Sequence, residues 1–281
     1  MIRLAQDRDH GQLKALWTQV FGDATREVEA YFALRHQNEN MLVWAREDRI
    51  QGMLSMLPLT LIQGKEAYPA RYIYAVATAP EQRGRGIAGL LLERAGELIY
   101  ARGEAAAALA PASDSLFDYY ARRGYHTAFS LNVVDFDAAS LPECPQAGLV
   151  LPCASGKYTR VRDRAFSQSG LYAHWEEEAV EYALHTLGDG GAALLKLEGG
   201  EGVAAWSPME GGVLVKELAL VGISVPQALA LLHRQIGAPW YRARLAAGTQ
   251  PEGKAMPFGM IRWFIPQPAS SGAGYLSLAL D

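Results

Sequence analysis

A mixed α/β (α+β) fold around a central, mostly antiparallel sheet is what this chain predicts, on three observations. Residues 9–21, 25–34 and 86–102 place apolar side chains at helical spacing. Residues 41–45, 50–62 and 71–79 switch to strand-like runs divided by short polar turns, the pattern of a meander. A turn rich in glycine and arginine joins the last of these strands to the third helix. The resulting order is helix, helix, three strands, helix, strand, helix, strand.

Each element has its own warrant. Leu13, Leu16, Trp17 and Val20 form the first apolar stripe, with Asp7 or Asp9 as cap and Gly22 as stop. Val28, Tyr31 and Phe32 face inward from the second helix, and the strands turn at Glu47-Asp48-Arg49 and Gly64-Lys65-Glu66. The third helix buries Leu90, Leu91, Ala95, Leu98 and Ile99. Residues 105–110 then read as a strand, Ser113 as the cap of a fourth helix, Gly124 as its C′ glycine, and 125–136 as the closing strand. From 137 to 156 the chain has three prolines and little periodicity, so a linker is expected. Beyond it a reduced version of the first half follows: a helix at 174–187, strands at 192–197, 202–206 and 212–220, and a helix at 226–236. The division expected is 1–140, a linker at 141–156, and 157–281.

Composition narrows the function. With 281 residues, 50% of them hydrophobic and 20% charged, two compact globular domains are the natural reading. A net charge of −4 argues against a nucleic-acid partner, which needs a basic excess to neutralise phosphates. The opening MIRLAQDRDH lacks the apolar run of a signal peptide and no stretch has the length of a membrane span, so no membrane partner and a cytoplasmic location are expected. Cys144 and Cys153 read as free thiols of a reducing compartment. His10, His36, His126, His174, His185 and His233 are scattered without ligand spacing, so no metal is expected. Arg122 and Arg123 read as a solvated pair at the C-terminal end of the fourth helix.

The richest segment is YIYAVATAPEQRGRGIAGLLL at 72–92. Gly84 and Gly86 permit positive φ, so successive backbone N–H groups can converge on an anion beside a helix start, with Arg83 and Arg85 adding charge at the rim. No Gly-Lys-Ser/Thr closes the turn and no GxGxxG is present, which excludes a Walker loop and a dinucleotide fingerprint.

These residues resemble the GNAT superfamily of acyl-CoA-dependent N-acyltransferases. The resemblance rests on Arg83-x-x-Gly86-x-Ala88, on Val76-Ala77-Thr78 with Pro80 before it, and on Tyr120 placed ahead of Gly124-Tyr125. It implies a GNAT fold with a splayed sheet and acetyl-CoA as co-substrate. The amides of Arg83, Gly84, Arg85, Gly86, Ile87 and Ala88 would hold the pyrophosphate. Val76, Ala77 and Thr78 would receive the pantetheine arm and thioester oxygen, and Ser113 joins the cofactor-binding set. Tyr120 would be the general acid for the departing thiolate.

In the second half, Val221-Gly222-Ile223-Ser224-Val225 stands where the cradle would be, so a degenerate GNAT-like domain is expected. The tandem resembles the enhanced-intracellular-survival (Eis-type) acetyltransferases without their third domain. In those proteins the chain terminus reaches the first site, which makes Asp281 a candidate catalytic carboxylate. No Glu occupies 71–76, so a water chain, Glu66, His126 or another carboxylate of the second half stay open as the base. With no Cys or Ser nucleophile near the motifs, direct attack by a small-molecule or peptide amine in a ternary complex is expected. The rival readings are a non-catalytic acyl-CoA sensor and a scaffold using RGRG as a basic contact. Whether the chain forms a homo-oligomer stays open.

Overall fold

The computed structural model describes residues 1–167, 169–249, 253–268 and 273–278. The first half runs β1 (Ile2–Leu4), α1 (His10–Phe21), α2 (Thr25–Leu34), β2 (Met41–Arg46), β3 (Arg49–Gln63), β4 (Glu66–Thr78), α3 (Ile87–Ala101), β5 (Ala106–Leu109), α4 (Asp114–Ala121) and β6 (His126–Asp137). The second runs β7 (Leu149–Pro152), α5 (Ser155–Phe166), β8 (Leu171–His174), α6 (Glu177–His185), β9 (Gly191–Leu197), β10 (Gly200–Met209), β11 (Gly212–Val221), α7 (Val225–Ile236), β12 (Trp240–Ala246) and β13 (Lys254–Trp263). Among the described residues no helix is long and apolar enough to cross a membrane.

The strands form one sheet in the order β1-β2-β3-β4-β5-β13-β6-β12-β11-β10-β9-β7, with β8 pairing the end of β3 at Thr60–Gln63. Among the strands of the described residues, β4–β5 and β11–β12 pair in parallel and the other ladders are antiparallel. Each parallel pair is joined through a crossover helix, α3 in one case and α7 in the other. The meander, helix and parallel strand of the first half therefore recur in the second.

Two apolar layers sandwich the first half of the sheet. α1 and α2 put Leu13, Leu16, Trp17, Val28 and Tyr31 on one face, against Met53, Leu57, Tyr72 and Ala77. α3 puts Ile87, Leu91, Leu92, Ala95 and Ile99 on the other, against Leu54, Met56 and Ile73. Truncating a fully buried leucine such as Leu91 to alanine would cost about 2–5 kcal/mol. Gly22 ends α1 at φ 76, its N–H reaching Thr18 O at 3.0 Å. The expected aspartate cap is not made: Asp9 instead takes Arg3 Nη1 at 2.5 Å and the Gln6 amide at 2.9 Å.

Three features depart from the sequence reading. The stretch read as linker contains β7, an edge strand on β9. The helix expected to begin at His174 begins at Glu177, because 171–174 is strand β8 and a separate helix, α5, precedes it. β13, for which the sequence reading names no element, inserts between β5 and β6.

The tail of the described chain is held by buried polar groups. Arg162 and Glu217 are fully buried and paired, with Arg162 Nε 3.1 Å from both carboxylate oxygens and Tyr158 donating to Oε1 at 3.2 Å. Arg162 also donates to Ala173 O and to Ser277 O, and Trp175 Nε1 donates to the same Ser277 oxygen at 3.0 Å. Gly274 and Tyr275 make isolated parallel bridges to Phe129 and Tyr172 through backbone hydrogen bonds, and beyond them Ser277 is held by side chains and by its own hydroxyl, which donates to Lys216 O at 2.9 Å.

Candidate active site

The site forms where β4 leaves its neighbour. β3 pairs with β4 along its whole length, up to Gly52 opposite Thr78. β5 pairs with it only from Ala70 to Tyr72. Among the described residues the β5-facing edge of β4 therefore has no partner strand from Tyr74 to Thr78, and its outward N–H and C=O groups face the opening. The register slips between Met53 and Ser55, opposite Tyr74 and Ala77, and inside that bulge Ala75 sits at φ 50. An alanine in the left-handed region stores about 1–2 kcal/mol of strain. It re-aims the backbone of Val76 at the mouth of the splay.

The turn beyond β4 is an open anion cradle. Gly84 and Gly86 sit at φ 77 and 80, and a Cβ on either would meet nothing within 4 Å, so the glycines answer to backbone geometry and not to crowding. Gly86 is the N-cap of α3 without a side-chain cap. Among the described residues the amides of Gly84 through Gly89 have no backbone acceptor. Arg83 and Arg85 are exposed and have no carboxylate partner among the described residues. A helix end with free donors beside unpaired guanidiniums is built for a diphosphate. The corresponding end of α7 is closed: Ser224 Oγ accepts from Gln227 N at 3.4 Å, and Gln227 Oε1 accepts from Ser224 N at 3.0 Å.

Arg123 joins this end from α4. Its guanidinium lies over the Tyr119 ring at 3.6 Å, and Nη1 donates to Tyr119 O at 2.8 Å. Nη2 lies 2.9 Å from where a Cβ on Gly89 would be. Arg122 is exposed, but Arg123, read from sequence as solvated, is half-buried between Tyr119 and the first turn of α3, a placement that needed the packing of two helices.

Tyr120 projects from α4 into the apolar cluster that holds Ile73, Val76 and Ile87, so the structure brings the acid candidate, the splayed strand and the cradle to one face. Its ring meets Tyr119 at 5.3 Å and Tyr125 at 5.8 Å, and among the described residues its hydroxyl has no hydrogen-bond partner. Burial pushes its pKa up to about 12, so the phenol is protonated at neutral pH. Ala77 is buried on the opposite face, and the Thr78 hydroxyl is buried without a partner. Ser113 occupies the N-cap position of α4, but its hydroxyl meets Ser115 Oγ at 3.0 Å and caps nothing.

The base candidates separate. Glu66 is exposed at the far end of β4, on the order of 30 Å from Val76 along an extended strand. His126 opens β6 and lines a separate cleft of about 310 Å³ with Gln63, Thr127, Ser130 and Trp263, at the end of the β3–β4 hairpin away from the cradle. Asp281 lies outside the described residues. On the α1/α2 face of β4, Tyr74 packs with Trp17 at 5.6 Å and Tyr31 at 5.8 Å, and Tyr72 meets Trp175 edge-on at 5.3 Å. Burial raises the pKa values of Tyr31 and Tyr74 and that of Tyr182 to about 12, so all three are neutral donors there.

A splayed β4 with an uncapped helix behind a double-glycine turn is the arrangement that the resemblance to acyl-CoA-dependent acyltransferases implied. Residues 1–128 match the model of the family described as acetyltransferase (GNAT) domain. The whole chain has the fold of solved relatives. A GCN5-related N-acetyltransferase from Anabaena variabilis aligns over 93% of this chain and 72% of its own, with TM-score 0.75 and 19% identity. Another GCN5-related N-acetyltransferase, from Kribbella flavida, covers 94% and 71% at TM-score 0.71 and 19% identity. Eis1 from Mycobacterium abscessus covers 94% and 73% at TM-score 0.69 and 16% identity. No curated protein matches the sequence.

Proposed function

We propose that the protein is an acetyl-CoA-dependent N-acetyltransferase of the cytoplasm that passes the acetyl group to a primary amine by direct attack in a ternary complex. The observation that carries this reading is the convergence of the free amides at 84–89, the unpaired edge of β4 and the unpartnered Tyr120 hydroxyl. The diphosphate sits on the cradle between Arg83, Arg85 and Arg123. The pantetheine arm follows the Val76–Thr78 edge, whose amides polarise the thioester carbonyl. The amine approaches from the α1/α2 face, and Tyr120 donates a hydrogen bond, then its proton, to the departing sulfur. Residues 1–140 form the catalytic domain and 157–281 its degenerate partner, whose self-capped α7 leaves no cradle.

The Asp281 carboxylate is the proposed base, on the resemblance to the Eis-type enzymes alone. Removing Leu280 and Asp281 should lower turnover without unfolding the protein; normal turnover would dismiss that base. The function itself is tested by thiol release from acetyl-CoA across an amine library, beside calorimetry with CoA alone. Turnover with any amine supports the enzyme, binding without turnover indicates a sensor, and no binding overturns both.

A further inference from the structure

Remote from the cradle, the start of α1, the end of α2 and the turn at Asn38–Asn40 bring three polar atoms into mutual contact. His10 Nε2 lies 3.1 Å from His36 Nε2, and Asn38 Oδ1 lies 3.2 Å from the first and 3.1 Å from the second. The amide is oriented, because Asn38 Nδ2 donates to Asp7 Oδ1 at 2.6 Å and a flip would set oxygen against carboxylate.

Protons cannot satisfy this triangle. Each imidazole nitrogen faces the cluster either as N–H or as a lone pair, and the amide oxygen offers only lone pairs. With both nitrogens protonated, two hydrogens oppose each other across 3.1 Å. With one protonated, the lone pair of the other opposes that of Asn38 Oδ1. With neither, every edge is repulsive. A ring of three single-role atoms always keeps one such edge, whereas a cation bound to all three turns every contact to advantage.

We propose that His10 Nε2, His36 Nε2 and Asn38 Oδ1 form one face of a binding site for a divalent first-row transition ion. Bonds of about 2.05 Å would set these atoms about 2.9 Å apart on an octahedral face and about 3.35 Å apart on a tetrahedral one. The observed 3.1–3.2 Å separations fall between the two. Two imidazoles and one amide oxygen suit zinc, copper or nickel better than the oxygen-seeking magnesium or calcium. The Phe32 ring lies 4.7 Å from that of His36 and 5.8 Å from that of His10, covering one side of the cluster. Burial lowers the pKa of His36, which leaves its imidazole neutral near pH 7 with a lone pair to give. Coordination through Nε2 puts the His36 proton on Nδ1, which is buried without an acceptor, so the affinity should be about 10–100-fold below that of a site whose outer hydrogen bonds are satisfied.

The test is calorimetric titration of the full-length, chelator-treated protein with Zn²⁺, with Co²⁺ absorption as a second probe. One ion should bind per chain. His10→Gln and His36→Ala should each weaken binding at least about thirty-fold, His126→Ala and His185→Ala should leave it unchanged, and acidification from pH 7.5 to 6 should weaken it as protons compete. Should His36→Ala fail to fold, histidine ring NMR of the wild type decides: Zn²⁺ must shift the His10 and His36 signals first. Absence of one-to-one binding, indifference to both substitutions, or primary shifts at other histidines would overturn the site.

Discussion

Replacing Tyr120 by phenylalanine removes a single oxygen from the proposed reaction centre. The ring contacts with Tyr119 and Tyr125 survive, and no hydrogen bond within the described chain is lost. The melting temperature should therefore stay within about 2 °C, the scale of a change under 0.5 kcal/mol. The catalytic loss follows from the pKa. A phenol at about 12 facing a thiol of about 8.5 makes full proton transfer about 5 kcal/mol uphill, unless the thiolate is desolvated to a similar degree. The dependable share is the hydrogen bond to the developing thiolate, about 1.5–3 kcal/mol, or roughly ten- to hundred-fold in kcat. Because the phenol stays protonated, kcat in the wild type should show no alkaline loss from this group below about pH 11. The assay is steady-state thiol release over pH, with CoA affinity measured separately. Unchanged kcat in Tyr120→Phe would remove the hydroxyl from the mechanism, and a collapsed CoA affinity would make it a binding residue instead.

Three further outcomes are expected. Gly84→Ala with Gly86→Ala puts side chains at φ 77 and 80 at about 1–2 kcal/mol each, so CoA affinity should fall about ten-fold or more by calorimetry while acetyl-pantetheine, which lacks the diphosphate, reacts as before. Arg162→Met strands Glu217 as a buried unpaired carboxylate and should cost about 3–5 kcal/mol in denaturant unfolding, whereas adding Glu217→Leu should recover most of it; a double variant as unstable as the single one would contradict this account. His36 has its pKa lowered first by burial, so between the folded value and 6.5 the unfolded chain binds more protons than the folded one. Stability should be complete above pH 6.5 and fall as pH drops below it, and His36→Gln should flatten that slope in thermal melts at low ionic strength without added metal.

The elements that could be read directly are those whose period is undisturbed. α2 was legible end to end and α3 to within a residue or so, because Leu91, Ala95 and Ile99 of the expected stripe are buried, although Leu90 of that stripe is exposed and Leu92 is buried in its stead. α5 was not, since its buried face runs Tyr158, Val161, Arg162 and Phe166, and an arginine on that face reads as surface until Glu217 is known to meet it. β7 is a short edge strand with mostly exposed residues, so it has no alternation to detect. At the site, the glycines and the tyrosine were visible as spaced residues. The strain at Ala75, the place of Arg123 against Gly89 and the meeting of His10 with His36 leave no trace in spacing, because each depends on elements far apart in the chain.

By itself the sequence determined the local pieces: the helix periods, the meander, and a turn whose glycines allow backbone donors to face an anion. Those are properties of neighbouring residues, set by φ/ψ sterics and by the alternation of apolar side chains. Only the tertiary structure decided that β13 slots between β5 and β6, that β4 and β5 part above Tyr72, and that Tyr120 reaches the face of that opening. Such placements arise from long-range strand pairing and the burial of one apolar layer on another, which no local pattern encodes.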